Sequence, residues 1–345
     1  MSATLLPSPA QWKSHFQTRG VDDDAVSTYL SYIRPLHKKK VPVIFSREHL
    51  AKLLGRTEGF LSTASLRPGY FYRSFEISKR SGAKRTINAP YHSLLECHRW
   101  INNHILTRLP VHGAARGYVR KKSIVDHALP HVGSKEVLTV DLQDFFPSIN
   151  FARVLAIFLD IGYTRDVSIT LARLCCLEDA LPQGAPTSPN LSNIVCRRMD
   201  FRLSRMCQKL GVSYTRYADD LCFSADRIPT SLLQSLNSII LGEGFEINQN
   251  KTRMHSGKSN RKMVTGLNVA HSEIRLPKDF KRAISLDLYH IESHGLLSHL
   301  AKRKITDPAY LAKLLGRIGY WLQIETGNSE AIRYKEILKK FISQQ

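Results

Sequence analysis

Three aspartates stand where the surrounding sequence calls for an apolar interior. Asp141 closes the β-rich run Val137-Leu138-Thr139-Val140, with Phe145 and Phe146 just beyond it. Asp219 and Asp220 lie between Tyr217 and the run Leu221-Cys222-Phe223. Carboxylates set among β-branched and aromatic residues lose hydration at a cost unless a cation compensates them. Hard divalent cations take such oxygen ligands, and two Mg²⁺ ions bridged by carboxylates suit in-line attack of a 3′-hydroxyl on a triphosphate. The plainer alternatives are turn chemistry for Asp219-Asp220 and a helix cap or loop acid for Asp141.

Those acids need a scaffold, and the spacing of apolar residues predicts one. Residues 1–45 read as a helical leader broken by Pro35, Lys38-Lys39-Lys40 and Pro42. Helical spacing continues over 46–66, with Leu50, Leu53, Leu54 and Phe60 as a stripe. Phe71 to Ile87 alternates as a hairpin around Ser81-Gly82, with a basic tip from Lys79 to Arg85. His92 to Leu109 is helical, and Val137 to Asp141 is a short strand. Phe151 to Leu177 and Asn190 to Leu210 are helical, and Tyr214 to Phe223 reads as two strands meeting at Ala218-Asp219-Asp220. A helix over 231–241 precedes short strands over 245–269, and the spacing is helical again from Pro277. Helices around a β-rich centre give an α+β pattern.

Composition narrows the class of partner. The 345 residues, 43% of them hydrophobic, are enough to bury a sizeable core. Fifty Lys and Arg against 29 Asp and Glu give a formal charge of +21, which favours a polyanion. The basic clusters recur along the chain: Lys38 to Lys40, Lys79 to Arg85, Arg120 to Lys122, Lys258 with Arg261-Lys262, and Lys302 to Lys304. One such cluster is a solvated face; all of them together point to a phosphate-lined channel. The six cysteines form no CxxC pair and no zinc spacing, and reduced thiols suit the cytosol. No signal pattern or membrane-length apolar run is present, so a cytoplasmic protein without membrane contact is expected.

Three segments in order resemble the motifs of reverse transcriptases. Val140-Asp141-Leu142-Gln143-Asp144-Phe145-Phe146-Pro147-Ser148 resembles motif A, and Leu181-Pro182-Gln183-Gly184-Ala185-Pro186-Thr187-Ser188-Pro189 resembles motif B. Tyr217-Ala218-Asp219-Asp220 matches the YxDD of motif C. Thr215 to Leu221, Asp144 to Ser148 and the VTG in Arg261-Lys262-Met263-Val264-Thr265-Gly266-Leu267 are similar to the retron branch of bacteria. The retron NAxxH signature corresponds to His127-Ala128-Leu129-Pro130-His131, with His in place of Asn. The literal NAxxH at Asn88-Ala89-Pro90-Tyr91-His92 lies upstream of the matching position. The similarity runs from about residue 70 to 270, and more loosely to the end.

The resemblance implies a right-hand polymerase of fingers, palm and thumb, with an antiparallel palm sheet. Residues 1–270 would form the leader, fingers and palm, and 271–345 a helical thumb that recognises RNA. Asp141, Asp219 and Asp220, with the Leu142 backbone, would hold two Mg²⁺ ions. Phe146 would be the steric gate against a ribonucleotide 2′-hydroxyl. Lys84 and Arg85 would neutralise the incoming triphosphate, aided by backbone amides near Asp144. Gln183 and Gly184 would contact nucleotide and template, and Lys251 would lie near the leaving pyrophosphate. His131 and Val264-Thr265-Gly266 would contact RNA or primer. His131 also reads as a satisfied structural histidine, and Phe146 as a core aromatic. Tyr310, Tyr320 and Trp321 would be available to stack on RNA bases, with thumb core as the plainer alternative for Tyr320 and Trp321.

The implied activity is RNA-directed synthesis of msDNA, a branched RNA–DNA molecule, from a dedicated structured non-coding RNA. An effector or toxin partner in phage defence is implied as well. The alternatives are a group II intron or diversity-generating reverse transcriptase, or an RNA-binding scaffold whose polymerase is idle. The first lacks room here for a maturase with an endonuclease, and no RNase H domain is expected. Intact Asp141, Asp219, Asp220 and Gln183 argue against the scaffold.

Overall fold

A computed structural model describes residues 6–78, 82, 84–257 and 261–343. The chain begins with α1 (Pro9–Thr18), α2 (Asp23–Lys38), α3 (Arg47–Leu54) and α4 (Glu58–Leu66), then a hairpin of β1 (Tyr72–Ser78) and β2 (Lys84–Pro90). α5 (His92–His104) and the short α6 (Ile124–Ala128) precede β3 (Glu136–Asp141). α7 (Phe151–Ile161), α8 (Arg165–Cys175), α9 (Ser188–Val195) and α10 (Arg197–Lys209) follow. β4 (Ser213–Tyr217) and β5 (Asp220–Ala225) lead to α11 (Thr230–Gly242), β6 (Arg253–His255), β7 (Met263–Val264) and β8 (Leu267–Asn268). The chain closes with α12 (Lys278–His294), α13 (Leu296–Arg303), α14 (Tyr310–Ile324) and α15 (Ser329–Ser343). This is the α+β mixture that the pattern predicts. No described helix is long and apolar enough to cross a membrane.

The local differences from expectation have physical causes. Pro35 does not break the leader: α2 runs through it to Lys38, forgoing the bond that an amide at position 35 would give the Ser31 carbonyl. The Asp22 side chain caps the other end of that helix through Asp24 N and Ala25 N. Helical spacing over Phe151 to Leu177 is split by Gly162, whose φ of 109° ends α7. The hairpin continues past Ile87 to Pro90, in a continuous register from Tyr72↔Pro90 to Ser78↔Lys84. Part of its expected basic tip, Lys79-Arg80-Ser81 and Ala83, lies outside the described residues, as does Lys258.

Two compact units divide the chain. The first comprises Met1–Tyr118, Leu142–Arg205 and Leu233–Asn248; the second comprises Val119–Asp141, Met206–Leu232 and Gln249–Gln345. In the first, Val26, Leu30 and Ile33 of α2 bury against Trp12, Phe16 and Phe45. In the second, an antiparallel sheet of order β4-β5-β3-β6 shares one apolar core with the C-terminal helices. That core runs from Val137 and Cys222 through Ile284 and Leu288 to Trp321 and Leu338. Trp321 is fully buried there, so it is core of the C-terminal helices and not a platform for RNA bases.

Candidate active site

In the second unit, strand register brings the acids together. Asp141, the last residue of β3, is directly paired with Asp220, the first residue of β5. β4 and β5 form a hairpin in which Tyr217 pairs with Asp220, leaving Ala218 and Asp219 as a two-residue turn. Such turns need a positive φ, and Ala218 supplies it at 58°. Like charges on directly paired positions repel. Burial, then the Asp219 and Asp141 carboxylates, push Asp220 up to about 7, opposed by Lys251. Lys251 Nζ donates to both Asp141 oxygens, at 2.8 and 3.0 Å.

A buried polar frame lies behind this turn. The Arg216 guanidinium is fully buried, and its Nη1 donates to the Ala218 carbonyl at 3.1 Å. His131 is also fully buried, with Nδ1 2.7 Å from Ser224 Oγ and Nε2 2.7 Å from Thr215 Oγ1. Thr215 Oγ1 also lies 2.7 Å from His127 Nδ1 and donates to the His127 carbonyl. Burial pushes His131 down to about 4, which keeps it neutral. A neutral imidazole has one donor and one acceptor, enough to join β4 to β5. Farther along, Val264 pairs with Leu267 across Thr265 and Gly266, at φ 45° and 83°. A threonine in that region is strained, and its hydroxyl is buried with no hydrogen-bond partner.

The first unit carries the other candidates. Leu142 is buried and bridges Ile247, and Gln143 N donates to the Glu246 carbonyl at 2.8 Å. Asp144 turns the chain at φ 42°, and its carbonyl accepts from Ser148 N. Phe145 stacks on Phe245 in the interior, while Phe146 stays half-buried beside Tyr118, ring centroids 6.3 Å apart. The Gln183 carbonyl accepts from Asn88 N at 2.8 Å, tying this loop to β2. Gly184 sits at φ +124°, and a Cβ there would meet Asn88 O at 2.8 Å and Ile87 Cγ2 at 2.9 Å. Only glycine fits. Lys84 pairs with Glu76 at 2.6 Å, and Arg85 is exposed opposite Ile77.

Carboxylate oxygens around a negative charge that one lysine only partly offsets are the donor set that Mg²⁺ takes, so the residues fit that ion. Among the described residues no three carboxylate, imidazole or thiol groups converge into a ready-made metal cage. The Lys251 ammonium is the cation on Asp141 here.

Residues 77–275 match the family described as reverse transcriptase (RNA-dependent DNA polymerase). The retron Mx162 reverse transcriptase of Myxococcus xanthus is 38% identical over 290 residues, 71% of this chain and 58% of that protein. The retron Ec86 reverse transcriptase of Escherichia coli is 33% identical over 267 residues, 76% of this chain and 83% of that protein. The retron Mx65 reverse transcriptase of Myxococcus xanthus is 37% identical over 314 residues, 80% and 72% of the two chains. This chain belongs to the retron reverse transcriptases. It spans little more than half the length of the Mx162 enzyme.

Against that family, two expectations about RNA contact change. His131 cannot present its ring to RNA or primer, because it is buried with both nitrogens engaged inside the protein. Val264 is likewise fully buried, so only its backbone, Thr265 and Gly266 are left for such a contact. Arg216, Thr215 and Asn88 were not among the expected site residues. An arginine between Thr215 and Tyr217 in a strand headed for the interior was the available signal for the first. Nothing local marks Asn88 as the partner of Gln183.

Proposed function

We propose that this retron reverse transcriptase copies a dedicated structured RNA into DNA, yielding msDNA, with two Mg²⁺ ions at Asp141, Asp219 and Asp220. The observation that carries the reading is the register of Asp141 against Asp220, with Asp219 in the adjoining turn. When bound, the ions would activate the attacking hydroxyl and neutralise the triphosphate. Asp141, Asp219 and Asp220 would hold the ions, and Lys251, which donates to Asp141, would lie near the departing pyrophosphate. The Leu142 backbone is the further oxygen donor in this reading.

Phe146 acts as the sugar gate, since half-burial leaves part of its ring free to meet a 2′-hydroxyl. Lys84, Arg85 and the backbone at Asp144 grip the triphosphate. The Gln183-Gly184 loop, fixed against Asn88, receives the nucleotide and template. Thr265 and Gly266, with the Val264 backbone, meet the primer. Residues 1–270 serve as leader, fingers and palm, and 271–345 as a thumb that selects the RNA. The segment 277–345 holds 12 Lys and Arg against 7 Asp and Glu, which suits it to phosphates. An effector protein held in check by the RNA–DNA complex completes a phage-defence role.

The test is primer extension with Mg²⁺ on the enzyme's own RNA by Asp141→Asn, Asp219→Asn and Asp220→Asn. Each variant is expected to bind RNA as wild type does and to extend at least a thousandfold more slowly. Near-wild-type extension by any of the three refutes the assignment of that residue.

A further inference from the structure

The first unit contains a cleft of about 1260 Å³ that none of the assigned site residues lines. Small-molecule pockets run to roughly 300–1,000 Å³, so the space suits a macromolecular segment. Its walls come from the end of α2, the loop after α5, α7, the α9–α10 junction and the turn after α11. Ile157 and Ile194 contribute an apolar floor. Phe201 is 56% exposed at the edge, with His112 edge-on to it at 6.5 Å.

Charge accounting separates the cations that build the cleft from those left over. Arg198 and Arg202 neutralise Glu243 at 3.2 and 2.7 Å. Arg153 is spent on the carbonyls of Glu243 and Gly244 and on the face of Phe245. Lys39 donates to the Asp160 carbonyl. Lys38, Lys40, Arg108 and Arg197 also line the cleft, and among the described residues none of their side chains has a hydrogen-bond or ion-pair partner. Against these four, Asp160 is the one lining acid not already paired. Lys38 gains something from the C-terminal dipole of α2. Lys40 gains nothing comparable in backbone terms: it takes the left-handed position after that helix at φ 57°, where glycine is favoured. Four unpaired cations brought to one concavity from three parts of the chain, one at a conformational cost, call for an anionic occupant.

We propose that this cleft is a second, non-catalytic RNA site that takes an unpaired segment of the structured RNA. The proposal rests on the reading of the chain as an RNA-copying enzyme. Phosphates neutralise Lys38, Lys40, Arg108 and Arg197, and one base splays onto the exposed face of Phe201 over the aliphatic floor. Phosphates alone would need no ring; an aromatic plate beside cations is how single strands are held.

The test compares the full-length wild type with the quadruple variant K38Q/K40Q/R108Q/R197Q and with Phe201→Ala. All five side chains are exposed, and far-ultraviolet circular dichroism checks that each variant folds. Binding of a 20-nucleotide oligouridylate is measured from low to physiological salt. At about 0.7 of log–log slope per phosphate contact on a single strand, the quadruple variant is expected to lose roughly three units of slope. Phe201→Ala is expected to weaken binding at least about fivefold with an unchanged slope. Extension of a short DNA primer annealed to an unstructured RNA template should stay at the wild-type rate in both variants. A wild-type slope in the quadruple variant overturns the proposal. So does that slope with loss of an acidic Glu/Leu helical peptide that wild type captures, which assigns the cleft to a protein partner. If wild type itself fails to extend the short template, the polymerase reading fails, while the slope comparison still decides the RNA site.

Discussion

Asp220→Asn is expected to stabilise the metal-free enzyme while removing its DNA synthesis. Burial and the Asp219 and Asp141 carboxylates raise Asp220 from 3.8 to about 7. A raised carboxyl pKa means that the folded state keeps a proton which the unfolded chain releases. Stability from this group therefore falls as pH rises from about 4 through about 7. At 1.36 kcal/mol per unit, the loss between pH 5 and pH 8 is about 2.5 kcal/mol. Buried His98 and His131, each pushed down to about 4, act in the opposite sense and lose stability toward acid. The readout is therefore the difference between wild type and variant, in which the histidines cancel. Urea denaturation in EDTA at both pH values gives that difference from the midpoints. The variant should gain about 2.5 kcal/mol on wild type between pH 5 and pH 8, and Mg²⁺ should raise the wild-type midpoint more than the variant's. A pH-independent difference would refute the crowding of charge at this turn.

Two further substitutions test the first unit. Phe146→Ala should cut discrimination between deoxynucleotides and ribonucleotides at least about tenfold, read as the ratio of the two kcat/KM values; unchanged discrimination would make Phe146 a packing residue only. Gly184→Ala should cost about 2–4 kcal/mol in urea denaturation, because its Cβ meets the Asn88 backbone and its φ is strained for alanine; an effect within 0.5 kcal/mol would show that the loop and β2 separate freely.

The parts of this site legible in the sequence are those governed by local rules. The β-rich run Val137 to Asp141 and the two strands meeting at Ala218-Asp219-Asp220 are enough to predict a strand and a hairpin that end in carboxylates. Once one face is buried, a period of two leaves little freedom of register. Helix boundaries were harder, since the apolar stripe over Phe151 to Leu177 continues through Gly162 although the backbone does not. The least legible features are contacts between distant residues: His131 with Thr215 and Ser224, Lys251 with Asp141, Asn88 with Gln183. No local pattern encodes such pairs. His127-Ala128-Leu129-Pro130-His131 is recognisable as a motif and His131 reads as a satisfied structural histidine, yet the groups that satisfy it in the interior are not legible.

That interior placement bears on how the turn survives. The β4–β5 hairpin carries a left-handed alanine, which costs roughly 1–2 kcal/mol, and an aspartate pair facing a third carboxylate. Neither would persist in an isolated hairpin. Arg216 fixes the Ala218 carbonyl, so the strained residue is held through its own backbone. His131 clamps Thr215 on one strand to Ser224 on the other, and Lys251 offsets part of the charge from outside the hairpin. A buried polar network is worth most when every member is satisfied, and these bonds tie the turn to Arg216, β4 to β5 through His131, and β3 to Lys251. His127 joins it through the Thr215 hydroxyl. The chain thus invests its buried polar groups where repulsion between carboxylates would otherwise open the turn, and leaves that repulsion for a divalent cation to relieve.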